Sequence, residues 1–517
     1  MTIAPPFPNL FVKPAVQGRG GAAVAQHPDA AAAGAAVLSE GGNAIDAAVT
    51  MALSMAALEP WMSGLGGGGF LLTRMGGEVH QLDFNMVSPL AATPDKYPLA
   101  GGVSPGMFAW PTVEGDRNTK GPMSICTPGV VAGAAAALER FGTISWERAM
   151  QPAVDLAGRG LTVDWFTTLC IATTAAELAE HPSTAAAFMP DGFPLAQPTG
   201  HPAPVLKIPG LVETLTHLAA AGWEDFYRGD LAAKLSADFR DVGALLTAQD
   251  LASYQADWTK PATQTVVGWE CVTTSGLSGG VTTAAILEAL ATVDPQDNDA
   301  FVQAFITSAD QAFSRRLQTM GHAGDLGRDA CTTHLSVVDR HGNLVSLTQT
   351  LLGRFGSRVV LPETGVLMNN GMMWFDPTPG RPNSVAPGKS PLANMSPMLA
   401  MTPDGSSGFA LGASGGRHII GSVAQAARRL IAGAGAEEAL SAPRAAVVTP
   451  GRAALDCRFP DTVAEAARQV IATVEQIPPM VYPTNYACVG VAGFDDSGSY
   501  AAAEPSLPWP TAMAATE

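Results

Sequence analysis

Residues 329–350 read Asp-Ala-Cys-Thr-Thr-His-Leu-Ser-Val-Val-Asp-Arg-His-Gly-Asn-Leu-Val-Ser-Leu-Thr-Gln-Thr. After Cys331, Leu335 and Val337 are apolar. A polar turn follows, Arg340-His341-Gly342-Asn343, and beyond it Val345 and Leu347 alternate with Ser346 and Thr348. Period-two alternation around a Gly-Asn turn predicts a β-hairpin. Its first strand opens on Thr332-Thr333. A threonine hydroxyl is a poor nucleophile without a base beside it. If the chain is cut just before such a threonine, the freed α-amine, with an unperturbed pKa of ~7.7–8.0, becomes that base. Two threonines are equally what good strand formers look like at the start of a strand. The hairpin alone leaves both readings open.

The rest of the chain limits the choices. With 517 residues it builds a large core, and 47% hydrophobic content with 7% aromatics excludes a disordered chain. A net charge of −17 argues against a nucleic-acid or anionic-membrane surface. Residues 1–9 lack a positive segment followed by an apolar one, so no signal peptide and a cytoplasmic setting are expected. The Ala-rich run from Ala47 to Leu58 comes closest to a membrane span. It is too short and is interrupted by Thr50 and Ser54, so a buried helix is expected. Cys126, Cys170, Cys271, Cys331, Cys457 and Cys488 show no CxxC spacing, which reads as free thiols with no metal site. No cofactor is implied.

Along the chain, residues 1–20 read as an irregular lead-in and 22–26 as a strand. Asp29 is a plausible cap for a helix over 30–38, with a second helix over 44–58. Strands follow at 70–74 and 81–85. Helices are predicted from Gly129 to Phe141 and over 145–157, the latter broken near Pro152. Residues 161–270 read as helices with loops, over 211–221, 230–241 and 248–254. After a strand at 272–275 come helices at 282–293 and 301–320. Beyond the hairpin, 376–391 is a Pro/Gly-rich loop or lid, 397–401 and 407–411 are strands, and 418–432 is a helix. Strands and helices on both sides of the hairpin predict a layered α/β core.

Two glycine motifs need weighing. Gly64, Gly66 and Gly69 fit G-x-G-x-x-G, but helix, loop and strand come in the wrong order for a dinucleotide fold, so packing geometry is the better reading. Gly412-Ala413-Ser414-Gly415-Gly416 fits the G-x-S-x-G nucleophile elbow, as does the stretch around Ser278. After Ser414 the only histidine is His418, four residues on, which does not suit a triad. The other use of Gly415-Gly416 is as backbone N–H donors to an oxyanion at a helix N-terminus.

Taken in order, the motifs resemble γ-glutamyltransferases. The residues that carry the resemblance are His27-Pro28, Glu40 to Ala48, Ser63 to Phe70, Thr127-Pro128-Gly129, Thr332 to Asp339, Gly342-Asn343, Asn369-Asn370, Met395-Ser396-Pro397 and Gly415-Gly416. The resemblance spans nearly the whole chain. It implies an N-terminal-nucleophile hydrolase with a four-layer αββα sandwich, made as one precursor that cuts itself between Cys331 and Thr332. A large subunit 1–331 and a small subunit 332–517 would then form one intertwined, self-associating domain, and a homodimer is compatible with that picture. The resemblance implies Thr332 as nucleophile, Thr350 as its hydrogen-bond partner, and Gly415 and Gly416 as the oxyanion hole. By spacing alone Thr333 rivals Thr332, and only the family register favours Thr332.

The positions that read substrate depart from that family. Asn85 stands where it has an arginine for the substrate α-carboxylate, and Leu352 where it has an asparagine. Asn369-Asn370-Gly371-Met372-Met373-Trp374 lacks the acid that holds the α-amine, and Ala393-Asn394 replace paired serines. Losing both charged partners of an amino-acid head group changes the substrate. The expectation is a small-molecule amide substrate that is not γ-glutamyl, either a small carboxylated amide of the oxamate kind or an acyl amide. Trp374 and Leu352 make the pocket apolar, and Arg354 and Arg417 are candidates for a carboxylate. The rival expectations are a true γ-glutamyltransferase with a rebuilt pocket, a serine hydrolase, and an interaction protein that never matures.

Overall fold

The computed structural model describes residues 11–103, 110–320, 331–477 and 487–516. Two seven-stranded sheets are stacked face to face. Their strands, in chain order, are β1 (Val16–Gly18), β2 (Gly21–Ala25), β3 (Gly68–Met75), β4 (Glu78–Phe84), β5 (Asp257–Thr259), β6 (Ala262–Val266), β7 (Trp269–Thr273), β8 (Cys331–Asp339), β9 (Leu344–Leu352), β10 (Met398–Met401), β11 (Gly408–Ser414), β12 (Cys488–Asp495), β13 (Gly498–Ala503) and β14 (Thr511–Ala514). The first sheet runs β14-β2-β8-β9-β3-β4-β5 and the second β1-β13-β12-β11-β10-β7-β6. Every pairing in both is antiparallel, and tight turns account for several. Gly76-Gly77, with φ of 58° and 92°, joins β3 to β4, and Gly342, with φ 71°, closes the predicted hairpin β8–β9.

The helices that frame the sheets are α1 (Pro28–Ser39), α2 (Ala44–Leu58), α3 (Val130–Phe141), α4 (Trp146–Arg159), α5 (Gly280–Leu290), α6 (Asn298–Thr319) and α7 (His418–Ile431). Alternation along the strands assigns the layers. Ala23, Ala25, Leu335 and Val337 point to the core shared with α1 and α2. Ala22, Val24 and Val338 point the other way, against Leu399, Ala410 and Ala492 of the second sheet. Ile419, Val423 and Ala427 of α7 cover that sheet's outer face together with Phe409 and Leu411. The order is helix, sheet, sheet, helix: the expected αββα sandwich. Both sheets combine strands from before and after Cys331, so the two halves of the chain share one core.

α2 is buried at every one of its 15 residues. Asn43 starts it with a capping box, its Oδ1 accepting from Ile45 and Asp46 while its own N–H donates to Asp46. Among the described residues no helix is long and apolar enough to cross a membrane.

Four sequence expectations need correction. Within the lead-in, Val16–Gly18 is a strand, paired with β13; residues 1–10 lie outside the described ones. The cap of α1 is His27, whose Nδ1 accepts from Asp29 N–H at 3.2 Å; Asp29 sits in the first turn instead. α4 runs unbroken through Pro152, because Ala149, Met150, Ala153 and Ala157 are buried against neighbouring helices and offset one missing hydrogen bond. Residues 257–266 form the edge strands β5 and β6, whose short, half-exposed runs carry little periodic signal.

The glycine run behaves as a packing device. A Cβ on Gly66 would strike Leu367 O, one on Gly67 would strike Thr350 O, and one on Gly69 would strike Thr348 O. The chain is small there so that its backbone can lie directly on Leu367 and on β9, the strand that carries Thr350.

Candidate active site

The bend that makes the site is a β-bulge. Cys331 pairs with Leu352 and Thr333 with Gln349, so Thr350 and Leu351 both lie opposite Thr332. Bulges re-aim side chains and recur beside active sites. Here Thr332 Oγ donates to Thr350 Oγ at 3.4 Å. Thr350 Oγ also accepts the Leu352 N–H at 2.8 Å, which fixes the rotamer it presents to Thr332. Leu352 has φ 83°, a region unfavourable for a leucine, and sits beside the bulge.

The same alternation separates the two threonines. Thr332, His334, Ser336 and Val338 face the second sheet, whereas Thr333, Leu335 and Val337 face the helices. Thr333 Oγ donates to Glu59 Oε2 at 3.5 Å, beneath α2. Burial pushes the Glu59 carboxyl well above the usual range, with the Thr333 contact opposing the shift. Thr332 faces the gap between the sheets and is 3% exposed.

The neighbouring inter-sheet layer is polar and fully engaged. His334 meets Thr348 Oγ at 3.0 Å through Nδ1 and Ser336 Oγ at 2.8 Å through Nε2. Burial lowers its pKa to about 3, so the ring is neutral. Gly412 of β11 lies on the imidazole where no Cβ would fit. Two residues further along β11, Ser414 Oγ accepts from Gln26 Nε2. Gly415 and Gly416 come next, at the same end of the sandwich as Thr332, with φ of 135° and 59°. Their carbonyls accept the His418 and Ile419 N–H groups of the first turn of α7. The pair thus forms the entrance to a helix whose positive end faces the strand ends.

Neither serine motif builds a triad. Ser414 is taken by Gln26, and no hydrogen bond joins it to His418, whose pKa burial and the neighbouring Arg417 lower to about 4. Ser278 Oγ donates to backbone and hydroxyl oxygens of Thr274 and Ser275 at the start of α5.

The expected substrate positions fall into two groups. Leu352, Trp374 and Ala393 gather with Phe70, Met86 and Met395 in one buried apolar cluster, joined to Thr350 through the Leu352 N–H. Asn85 is structural on three sides: Nδ2 donates to Pro391 O, Oδ1 accepts from Met86 N–H, and its carbonyl accepts the Tyr254 hydroxyl. Arg354 Nη1 reaches Thr173 Oγ at 2.9 Å, and Arg417 lies over the Phe313 ring at 5.5 Å. Through those contacts Arg354 meets the helix Trp165–Leu178 and Arg417 meets α6. Asn394 is met by Arg316. Sequence reasoning missed both Arg316 and Glu59. A signal existed for each: Arg316 is a charge in register with the apolar Ala309 and Phe313, and Glu59 directly follows the apolar stretch Met55–Leu58 that ends α2.

Comparison with known proteins adds a second line of observation. The family model for gamma-glutamyltranspeptidase matches residues 30–325 and 300–506. The acylase ACY 1 proenzyme of Pseudomonas sp. (strain V22) is 35% identical over 496 residues, covering 88% of this chain and 87% of that protein. The glutathione hydrolase proenzyme of Escherichia coli (strain K12) is 30% identical over 467 residues, covering 80% and 78%. Among solved structures, cephalosporin acylase from Bacillus halodurans superposes with a TM-score of 0.81 over all of both chains, at 23% identity, a likeness of fold.

Proposed function

The chain belongs to the gamma-glutamyltranspeptidase family of N-terminal-nucleophile enzymes, and on that premise we propose that it is a self-cleaving threonine amidohydrolase of the acylase kind. The observation that carries the reading is the contact between Thr332 and Thr350 across the bulge. In the uncut chain Thr332 Oγ attacks the Cys331 carbonyl. The C–N bond of the peptide breaks, an ester to Oγ forms, and water hydrolyses it. The products are a carboxyl at Cys331 and a free α-amine at Thr332.

The amine then takes the proton of Oγ as the oxygen attacks a substrate amide. The oxyanion of the tetrahedral intermediate is received by the backbone N–H groups at Gly415 and Gly416. Collapse expels the leaving amine, which takes up the proton, and water resolves the acyl-enzyme. Thr350 holds the nucleophile's rotamer throughout.

The acyl group is not γ-glutamyl. An apolar cluster of Leu352, Trp374 and Ala393 stands where an amino-acid head group would need opposite charges, and Asn85 is committed to Pro391 and Met86. A small carboxylated amide, oxamate-like or longer, fits the changed positions, and the acylase relatives favour an acyl amide over glutathione. Intact-mass analysis of the purified protein tests the first half: two chains split between Cys331 and Thr332, and a single chain in Thr332→Ala. Anilide turnover tests the second. Hydrolysis of γ-glutamyl anilide at or above the rate for simple acyl anilides would overturn the substrate reading. A wild-type chain that stays whole for days would overturn the nucleophile.

A further inference from the structure

The reaction outlined above makes no use of the buried cation Arg316. Arg316 lies in the last turns of α6, on its apolar face, and is 3% exposed. Nη1 donates to Ser278 O at 2.7 Å and to Thr282 Oγ at 3.4 Å. Nη2 donates to Ala393 O, and to Asn394 Oδ1 at 3.4 Å. All four acceptors are neutral. Glu288 lines the same 320 Å³ groove between α5 and α6, but no ion pair joins it to Arg316 among the described residues. Burial lowers the guanidinium pKa only to about 9, so the group is charged at neutral pH. Removing a charge from water without an opposite charge is costly, and proteins tolerate it chiefly where a ligand completes the pair or where neutral dipoles are rigidly aimed at it.

The segment that Arg316 grips is the one that stands in place of the paired serines. A guanidinium has five donors and no acceptor, so the edge of Asn394 turned toward it is the carbonyl edge. The amide dipole of Asn394 therefore has its positive end directed away from Arg316. The next residue back, Ala393, belongs to the apolar cluster with Leu352 and Trp374. The charge and the dipole add, and both favour an anion over an ammonium group on the side of residues 393–394 away from Arg316.

We propose that Arg316 is a positioning residue for specificity: it pins Ala393 and Asn394 and biases the subsite toward acyl groups that carry a carboxylate beyond the scissile carbonyl. The inference rests on the acylase reading above and names its substrate class. It adds to the candidates Arg354 and Arg417 a cation on the other side of the cut, acting from behind the pocket wall. A simple brace would make the same four hydrogen bonds, and the two roles separate on substrate charge.

The test uses the mature, cut protein and pairs of p-nitroanilides of matched chain length, one member ending in a carboxylate and the other in a methyl group. Wild type is expected to favour the carboxylated member by about tenfold or more in kcat/KM, mostly through KM. Arg316→Met should bring that ratio toward one. Arg316→Lys, which keeps the charge, should retain most of it. Asn394→Ala should lower it, and combining it with Arg316→Met should add little, because the two act through one segment. If Arg316→Met does not fold, the Lys and Asn394→Ala variants decide alone. Equal losses on both members, or a wild type without preference, overturn the proposal while leaving the nucleophile intact. A wild type that remains uncut and forms no acyl adduct overturns the enzyme reading itself, and this inference with it.

Discussion

The bulged hairpin and the segments that face it were built under different demands. From Thr332 to Thr350, each position is fixed by backbone geometry: a bulge, a left-handed leucine, glycines that admit no Cβ, and a histidine wedged on Gly412. Asn85, Trp374 and residues 393–394, which we propose as the opposing wall, are held by side-chain packing, by hydrogen bonds to the backbone and by the buried Arg316. Backbone-defined geometry admits few alternatives, whereas a packed wall can change its residues and remain a wall. The chemistry and the substrate of such an enzyme can therefore vary separately.

The sharpest way to break that contrast is to exchange the two adjacent threonines. Thr332→Ala should leave one uncut chain and lower amide hydrolysis by about four orders of magnitude or more, read by mass and by anilide turnover. Thr333→Val should still be cut, losing only the contact to Glu59, a loss of about 1 kcal/mol in stability. Cutting that fails in Thr333→Val but survives in Thr332→Ala would reverse the assignment of faces. Next in size is the Gly415-Gly416 turn, proposed to receive the oxyanion. Gly416→Ala places a Cβ on a residue with φ 59° and shifts the donors, so kcat should fall by about 10²–10³ with KM nearly unchanged.

The wall should respond differently. Trp374→Ala opens space in the apolar cluster, and the expected result is complete self-cleavage with a change of about tenfold in the preference between long and short acyl anilides. If it instead blocked cleavage, the wall and the hairpin would not be separable.

How much of this the sequence displayed follows the same division. The hairpin was legible because strand alternation, a Gly-Asn turn and paired threonines are local patterns. Which threonine faces the sheet gap was not, since one bulge residue and the pairing with β2 decide it, and neither leaves a mark in spacing. The 15-residue helix α2 was read to the residue, because its capping box and apolar run are contiguous. The cap of α1 was misplaced by two positions because His27 and Asp29 are both competent acceptors, and only the backbone angle at His27 selects it. The contacts of Arg354 with Thr173 and of Arg417 with Phe313 join residues more than a hundred positions apart in the chain. Long-range packing of that kind is written in no local window, and the same is true of the grip of Arg316 on Asn394.

The smallest expected effect leaves catalysis aside and tests how rigid the hairpin layer is. His334 has a folded pKa of about 3, held down by burial, against about 6.5 when unfolded. The unfolded chain therefore binds a proton that the folded chain refuses. The stability this contributes is fully present above about pH 6.5 and is lost progressively as the pH falls toward 3, at about 1.4 kcal/mol per pH unit. His418, lowered to about 4, acts in the same direction and is unchanged in a His334→Asn protein. Comparing urea midpoints of the two proteins from pH 7 to pH 4 thus isolates one histidine. His334→Asn should be less stable at pH 7, having lost the contacts to Thr348 and Ser336, yet its stability should fall less steeply with acid. Parallel slopes would mean that the imidazole can be protonated in place. The inter-sheet layer beside Thr332 would then be as yielding as the wall opposite, and the contrast between the two regions would not hold.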